Sequence, residues 1–210
     1  IFVKKNYNYY RNLTPSQYPA ELCEWFKRTT GQNLDLENPK TFNEKLQWLK
    51  LYDSTPLKTR LADKYLVRDW VKEKIGEEYL IPLLGVWDSF DEIDFDALPN
   101  QFVLKANHGC GWNIIVTDKS KFDKADAKKK FDSWMKLNFA YSFGLELQYL
   151  NIPPKIIAEA YVENAGNDLY DYKVFCFNGK AESIMFLSER KTGLKMAFYD
   201  LQWNKLPFTY

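Results

Sequence analysis

FVLKANHGCGWNIIV, Phe102 to Val116, is the stretch whose reading decides the fold. Phe102 to Lys105 has the composition of a short buried strand that ends in a lysine. Asn107, His108, Gly109, Cys110 and Gly111 then form a small polar loop punctuated by glycine, and Asn113 to Thr117 resume as a second strand. Strand, loop and strand with a lysine at the loop's mouth can hold phosphate. Glycine lets backbone N–H groups approach an anion, and the ammonium adds a point charge. The loop is not a Walker A motif, because no Gly-Lys-Ser/Thr follows the glycines and the next element is a strand. An ordinary β-hairpin with a glycine turn has the same outline.

Composition narrows the function classes. The 210 residues suffice for one domain of two lobes or for two small domains. Lys plus Arg number 29 and Asp plus Glu 28, a balance unlike the basic excess of a nucleic-acid or anionic-membrane binder. Aromatics are dense, with 7 Trp, 14 Tyr and 15 Phe, which suits either a core or sugar-stacking surfaces. The 3 cysteines, Cys23, Cys110 and Cys176, are far apart and form no C-x-x-C pair, as expected of reduced thiols in a cytoplasmic protein. His108 is the single histidine, so zinc sites of the H-E-x-x-H type are excluded. No apolar run reaches the roughly 18 residues of a membrane span.

Working outward, Leu22, Trp25 and Phe26 predict a helix through Cys23 to Arg28 that ends near Gly31. Thr41 with Glu44 three residues later is a capping box, opening a helix whose inward face is expected at Phe42, Leu46, Leu49 and Trp48. Thr59 to Lys74 is expected as one helix. Leu83 to Trp87 reads as a strand, and Asp88 to Leu98 as an acidic loop. Ala127, Phe131 and Trp134 predict a helix over Asp123 to Asn138, with Lys128-Lys129-Lys130 on its solvated face. Ile156 to Val162 is a buried strand. Asp171 to Phe177 and Ala181 to Leu187 flank an Asn178-Gly179 turn of type I′. Ala197 to Leu201 is a candidate further strand. The class is α+β.

In this order, Asp63-Lys64, the Phe102–Lys105 strand with its glycine loop, Glu159-Ala160-Tyr161-Val162 and Asp171-Tyr172-Lys173 resemble the ATP-grasp superfamily. Asn38-Pro39-Lys40-Thr41-Phe42-Asn43-Glu44-Lys45, Asp63-Lys64-Tyr65, Ile81 to Val86 and Tyr199-Asp200 with Trp203 are similar to its TupA-like amidoligase branch, from polysaccharide biosynthesis loci. The resemblance implies two α+β lobes that clamp ATP. Residues 1–99 would be a helical region ahead of the grasp, 100–161 the small lobe, and 162–210 part of a large lobe whose C-terminal portion is expected to be missing.

The resemblance also implies roles. Lys64 and Lys105 would meet the α- and β-phosphates, and Asn107, His108, Gly109 and Gly111 would close over the β- and γ-phosphates as a pliable lid. Glu159, Ala160, Tyr161 and Val162 would form the hinge that recognises adenine, through the Ala160 carbonyl, the Val162 N–H and Glu159 near the exocyclic amine. Glu163 or Asp168 would take the ribose hydroxyls. Lys173 would reach the γ-phosphate or the acyl-phosphate, and Lys173 and Lys105 would be the catalytic residues. The implied cofactors are ATP and Mg²⁺. The acids expected to bind metal fall after Asp200, where the sequence has no such pair, so the metal ligands are unknown and Glu182 and Glu189 are candidates by composition alone. The implied reaction joins a carboxylate, a uronic acid or glycan, to an amine such as an amino acid. A degenerate ATP-binding protein without turnover and an ATP-grasp phosphotransferase are the alternatives within the fold. A carbohydrate-binding module is the unrelated one.

Overall fold

Alternation of buried and half-buried residues shapes the central sheet. The computed structural model describes residues 2–163, 170–189 and 192–208. Ile1–Tyr161 forms one compact unit and Val162–Tyr210 a second.

Helices α1 (Phe2–Arg11) and α2 (Tyr18–Thr30) open the first unit. Gly31 stops α2 in a left-handed cap, φ 74°, with its N–H on the Lys27 carbonyl. Leu22 packs in a small core with Tyr10, Tyr18 and Leu145. Helix α3 (Phe42–Tyr52) starts at Thr41 with the expected capping box closed by Glu44. Its expected inward face does not turn inward. Phe42, Leu46, Trp48 and Leu49 are each more than a third exposed, and the buried residue is Gln47. Periodicity finds an apolar stripe but not what covers it.

Residues 59–74 do not form one helix. They form the end of α4 (Pro56–Ala62) and all of α5 (Val67–Lys74), separated at Asp63. Asp63 takes an extended backbone, and its carboxylate accepts from the amides of Tyr65 at 2.8 Å and Leu66 at 3.3 Å. This local bonding competes with the helix ladder.

Strands β1 (Leu83–Trp87), β2 (Phe102–Ala106), β3 (Asn113–Val116) and β4 (Ile156–Ala160) make an antiparallel sheet in the order β1-β4-β2-β3. Its edge strand β1 thus comes from upstream of residue 100. Phe102, Leu104, Ala106, Ile156 and Ala158 face one side and pack with Ala127 and Phe131 of α6 (Lys124–Trp134). The segment expected as an acidic loop supplies Phe90, Ile93, Phe95 and Leu98 to the same core. Its acids alternate with the buried rings, so mean polarity hides the anchors. Each such ring contributes about 1.5–3 kcal/mol of transfer free energy.

The second unit is a meander of β5 (Asp171–Phe177), β6 (Lys180–Ser188) and β7 (Lys195–Tyr199). Asn178 and Gly179, at φ 50° and 76°, make the expected primed turn. Tyr199 begins the turn that Asp200 closes by accepting from the amides of Gln202 and Asn204.

Candidate functional site

Register decides which side chains share the face opposite the core. Lys105 lies across from Ile157, and Val103 from Glu159. Since Phe102, Leu104 and Ala106 point into the core, Val103 and Lys105 point the other way, with Glu159 beside them. There Lys105 Nζ donates to Glu159 Oε2. Arg68 of α5 reaches the same carboxylate, Nη1 to Oε1 at 3.0 Å, and donates from Nη2 to the Ile81 carbonyl at 2.6 Å. Two cations therefore share one buried carboxylate.

Lys64 arrives from the break between α4 and α5. Its amide donates to the Asn107 carbonyl at 3.2 Å, and its Nζ to the Gly109 carbonyl. Burial pushes the Lys64 ammonium below the usual lysine range, and the charge of Lys105 pushes it further, opposed by Cys110, Asp63 and Glu159. Lys64 thus sits near enough to Lys105 to feel its charge, with its own Nζ on the loop carbonyl and that of Lys105 on Glu159.

The loop that follows β2 is anchored at its root. Asn107 is fully buried. Its Nδ2 donates to Asp63 Oδ1 at 2.9 Å and to the Pro153 carbonyl at 3.0 Å, and its Oδ1 accepts from the Lys155 amide at 2.7 Å. His108 is buried against Trp112, with Nε2 donating to the Trp134 carbonyl at 3.2 Å and Nδ1 3.1 Å from Asn107 Oδ1. Burial holds its imidazole below the usual histidine range. A Cβ on Gly109 would fall 2.2 Å from Cε3 of Trp112, so the close approach of that ring requires glycine. Cys110 and Gly111 form the exposed tip.

At the other end of β4, the Ala160 amide donates to the Pro82 carbonyl at 2.9 Å. Tyr161 is half-buried, and Val162 and Glu163 are exposed. A cavity of about 790 Å³ opens beside Arg68, lined by Tyr65, Lys72, Leu80, Pro82 and Leu83 among others. Asp168 lies outside the described residues. Lys173 sits on β5 of the second unit, exposed and across from Met185. Glu182 is exposed on β6, and Glu189 pairs with Lys195 at 2.7 Å.

In the sequence Asp63 marks the resemblance, beside Lys64, without a site role of its own, and Arg68 has neither. The signal for Arg68 was its spacing of four from Lys64, which on a helical path brings two cations to one side.

A family description, TupA-like ATPgrasp, matches residues 44–210. The chain belongs to the TupA-like ATP-grasp family. The matched span contains Asp63, Lys64, Arg68, the Asn107–Gly111 loop and Glu159. No curated protein and no solved structure matches the chain. Membership in the ATP-grasp superfamily points to an ATP-dependent ligase, in a family that generally binds ATP with Mg²⁺. Among the described residues no three Asp, Glu, His or Cys side chains converge to hold a metal ion. Nor among them is any helix long and apolar enough to cross a membrane.

Proposed function

We propose that this protein is an ATP-dependent carboxylate–amine ligase that forms an amide through an acyl-phosphate, acting on a cell-surface polysaccharide or its precursor. The observation that supports the nucleotide half is that Arg68 and Lys105 share Glu159 on one sheet face, while Lys64, which feels the charge of Lys105, bonds to the Gly109 carbonyl of the glycine loop. A triphosphate carries nearly four negative charges, and clustered cations with backbone amides offset that charge where water is excluded.

In this reading Lys64 and Lys105 take the phosphate chain. Asn107 and His108 are frame rather than contact, because their polar atoms are already engaged within the fold. Gly109 and the Cys110–Gly111 tip lie over the phosphates, and any closing movement belongs to the tip. Both Glu159 oxygens accept from cations, so adenine recognition falls to the Ala160 carbonyl and the Val162 N–H, with Tyr161 alongside. Glu163 or Asp168 takes the ribose. Lys173 acts at the γ-phosphate, and residues 162–210 form part of the large lobe.

Chemically, a substrate carboxylate oxygen attacks the γ-phosphorus and the bond to ADP breaks. The amine then attacks the acyl carbon, loses a proton, and expels inorganic phosphate. The chain contributes positioning and charge neutralisation. Magnesium would need oxygen ligands that the described residues do not bring together.

The test is ADP release by the full chain with sugar acids and amino acids offered singly and together. Release that needs both substrates, with an amide product, supports the ligase. Release with a phosphorylated product and no amine requirement replaces it with a phosphotransferase.

A further inference from the structure

Glu159 serves two cations that are not equivalent. Its side chain is 9% exposed, that of Arg68 13% and that of Lys105 26%. Arg68 is the inner partner, tied also to the Ile81 carbonyl. Lys105 is the outer one. One of the three N–H donors of Lys105 is on Glu159, so a phosphate with several oxygens competes with the carboxylate for the ammonium and pulls it outward. If Lys105 were the only partner, its departure would strand a buried carboxylate, a costly arrangement. Among the described residues the only other cation bonded to Glu159 is Arg68; Lys64 acts on Glu159 by charge alone, its Nζ being on the Gly109 carbonyl.

We propose that Arg68 is a positioning residue for the phosphate site: it keeps Glu159 compensated, so that Lys105 can exchange the carboxylate for a phosphate chain. This rests on the nucleotide reading above. The exchange replaces one charged hydrogen bond with another, so the gain from Lys105 is a difference. A polyphosphate, with several charges and a bridging geometry, outcompetes the single carboxylate, whereas an uncharged nucleoside never engages Lys105. Glu159 then acts as an internal competitor that makes the site selective for polyphosphate.

The experiment titrates the full chain with ATP, adenosine and inorganic tripolyphosphate by calorimetry. The variants are Arg68→Met, Arg68→Lys, Glu159→Gln and the Arg68→Met/Glu159→Gln double. Arg68→Met is expected to weaken ATP and tripolyphosphate by about tenfold, leaving adenosine within about twofold, and Arg68→Lys to recover most of the loss. Adding Glu159→Gln to Arg68→Met is expected to restore ATP to within about threefold of wild type, because the competitor is gone. Equal weakening of all three ligands, or a double variant as weak as Arg68→Met, overturns the inference and leaves Arg68 a support of the fold. Should Arg68→Met fail to fold, Glu159→Gln decides alone: ATP bound as tightly as wild type or tighter supports the exchange, and weaker ATP binding overturns it. A wild type that binds neither ATP nor tripolyphosphate removes the nucleotide reading together with the role of Arg68. A wild type that binds both, with no rescue in the double, removes only the role of Arg68.

Discussion

Asn107 donates to Asp63 across 2.9 Å, although 44 residues separate them in the chain. This buried bond joins the break between α4 and α5 to the root of the glycine loop, and so holds Lys64 against Gly109. Asn107→Ala would empty three hydrogen bonds and leave the Lys155 amide and Asp63 short of partners. The expected loss of stability is about 3 kcal/mol, read from urea unfolding. A loss near zero would mean that the contact carries none of the loop's order.

Nucleotide affinity should separate the lysines. Lys105→Ala is expected to weaken ATP binding by about 2–5 kcal/mol, the range for removing one partner of a buried charge pair. Lys128→Ala removes a half-buried lysine of α6 that pairs with Asp91 and Asp132, and should change it little. Equal effects in calorimetry would show that the face around Lys105 does not bind phosphate.

The pH dependence follows from His108. Its folded pKa lies below the ordinary value of 6.5, chiefly through burial. The unfolded chain therefore binds a proton that the folded chain does not. Stability is full above about pH 6.5 and falls as pH drops below it, by at most about 1.4 kcal/mol per pH unit. His108→Phe keeps an aromatic ring beside Trp112 and should flatten that acid limb in urea unfolding between pH 7.5 and 5. An unchanged slope would assign it to carboxylates instead.

Two glycines of the loop should respond differently. Gly109→Ala meets the Trp112 ring and is expected to cost about 1–3 kcal/mol. Gly111 has open space around a Cβ but a φ of 74°, so Gly111→Ala should cost only about 1 kcal/mol of backbone strain. Thermal midpoints of the two variants give the comparison, and the reverse order would contradict the packing of Trp112.

Much of this chain was legible before folding, wherever local chemistry is sufficient. The Thr41–Glu44 box, the Asn178-Gly179 turn and the alternation of Phe102, Leu104 and Ala106 each depend on residues a few positions apart. Lys64 and Lys105 stand out by residue type and order, whereas their partners, the Gly109 carbonyl and Glu159, come from the fold. Other readings failed where the deciding partner is remote. Leu46 and Leu49 have helical spacing, yet what buries a stripe is set by other elements. Asp63 has an ordinary place in a helical pattern, but its carboxylate turns back on the amides of Tyr65 and Leu66 and faces Asn107.

By itself, then, the order of residues determined the strand–loop–strand hairpin, the α+β class and the family, because each is written in short-range pattern and motif order. Only the tertiary structure decided that Arg68 and Lys105 share Glu159, and that Asn107 and His108 are buried with their side chains bonded within the fold. Those facts depend on sheet register and on a helix break that brings residues 91 positions apart into a hydrogen bond. No periodicity records such a distance, since burial and charge pairing are settled by what the whole fold places next to each group.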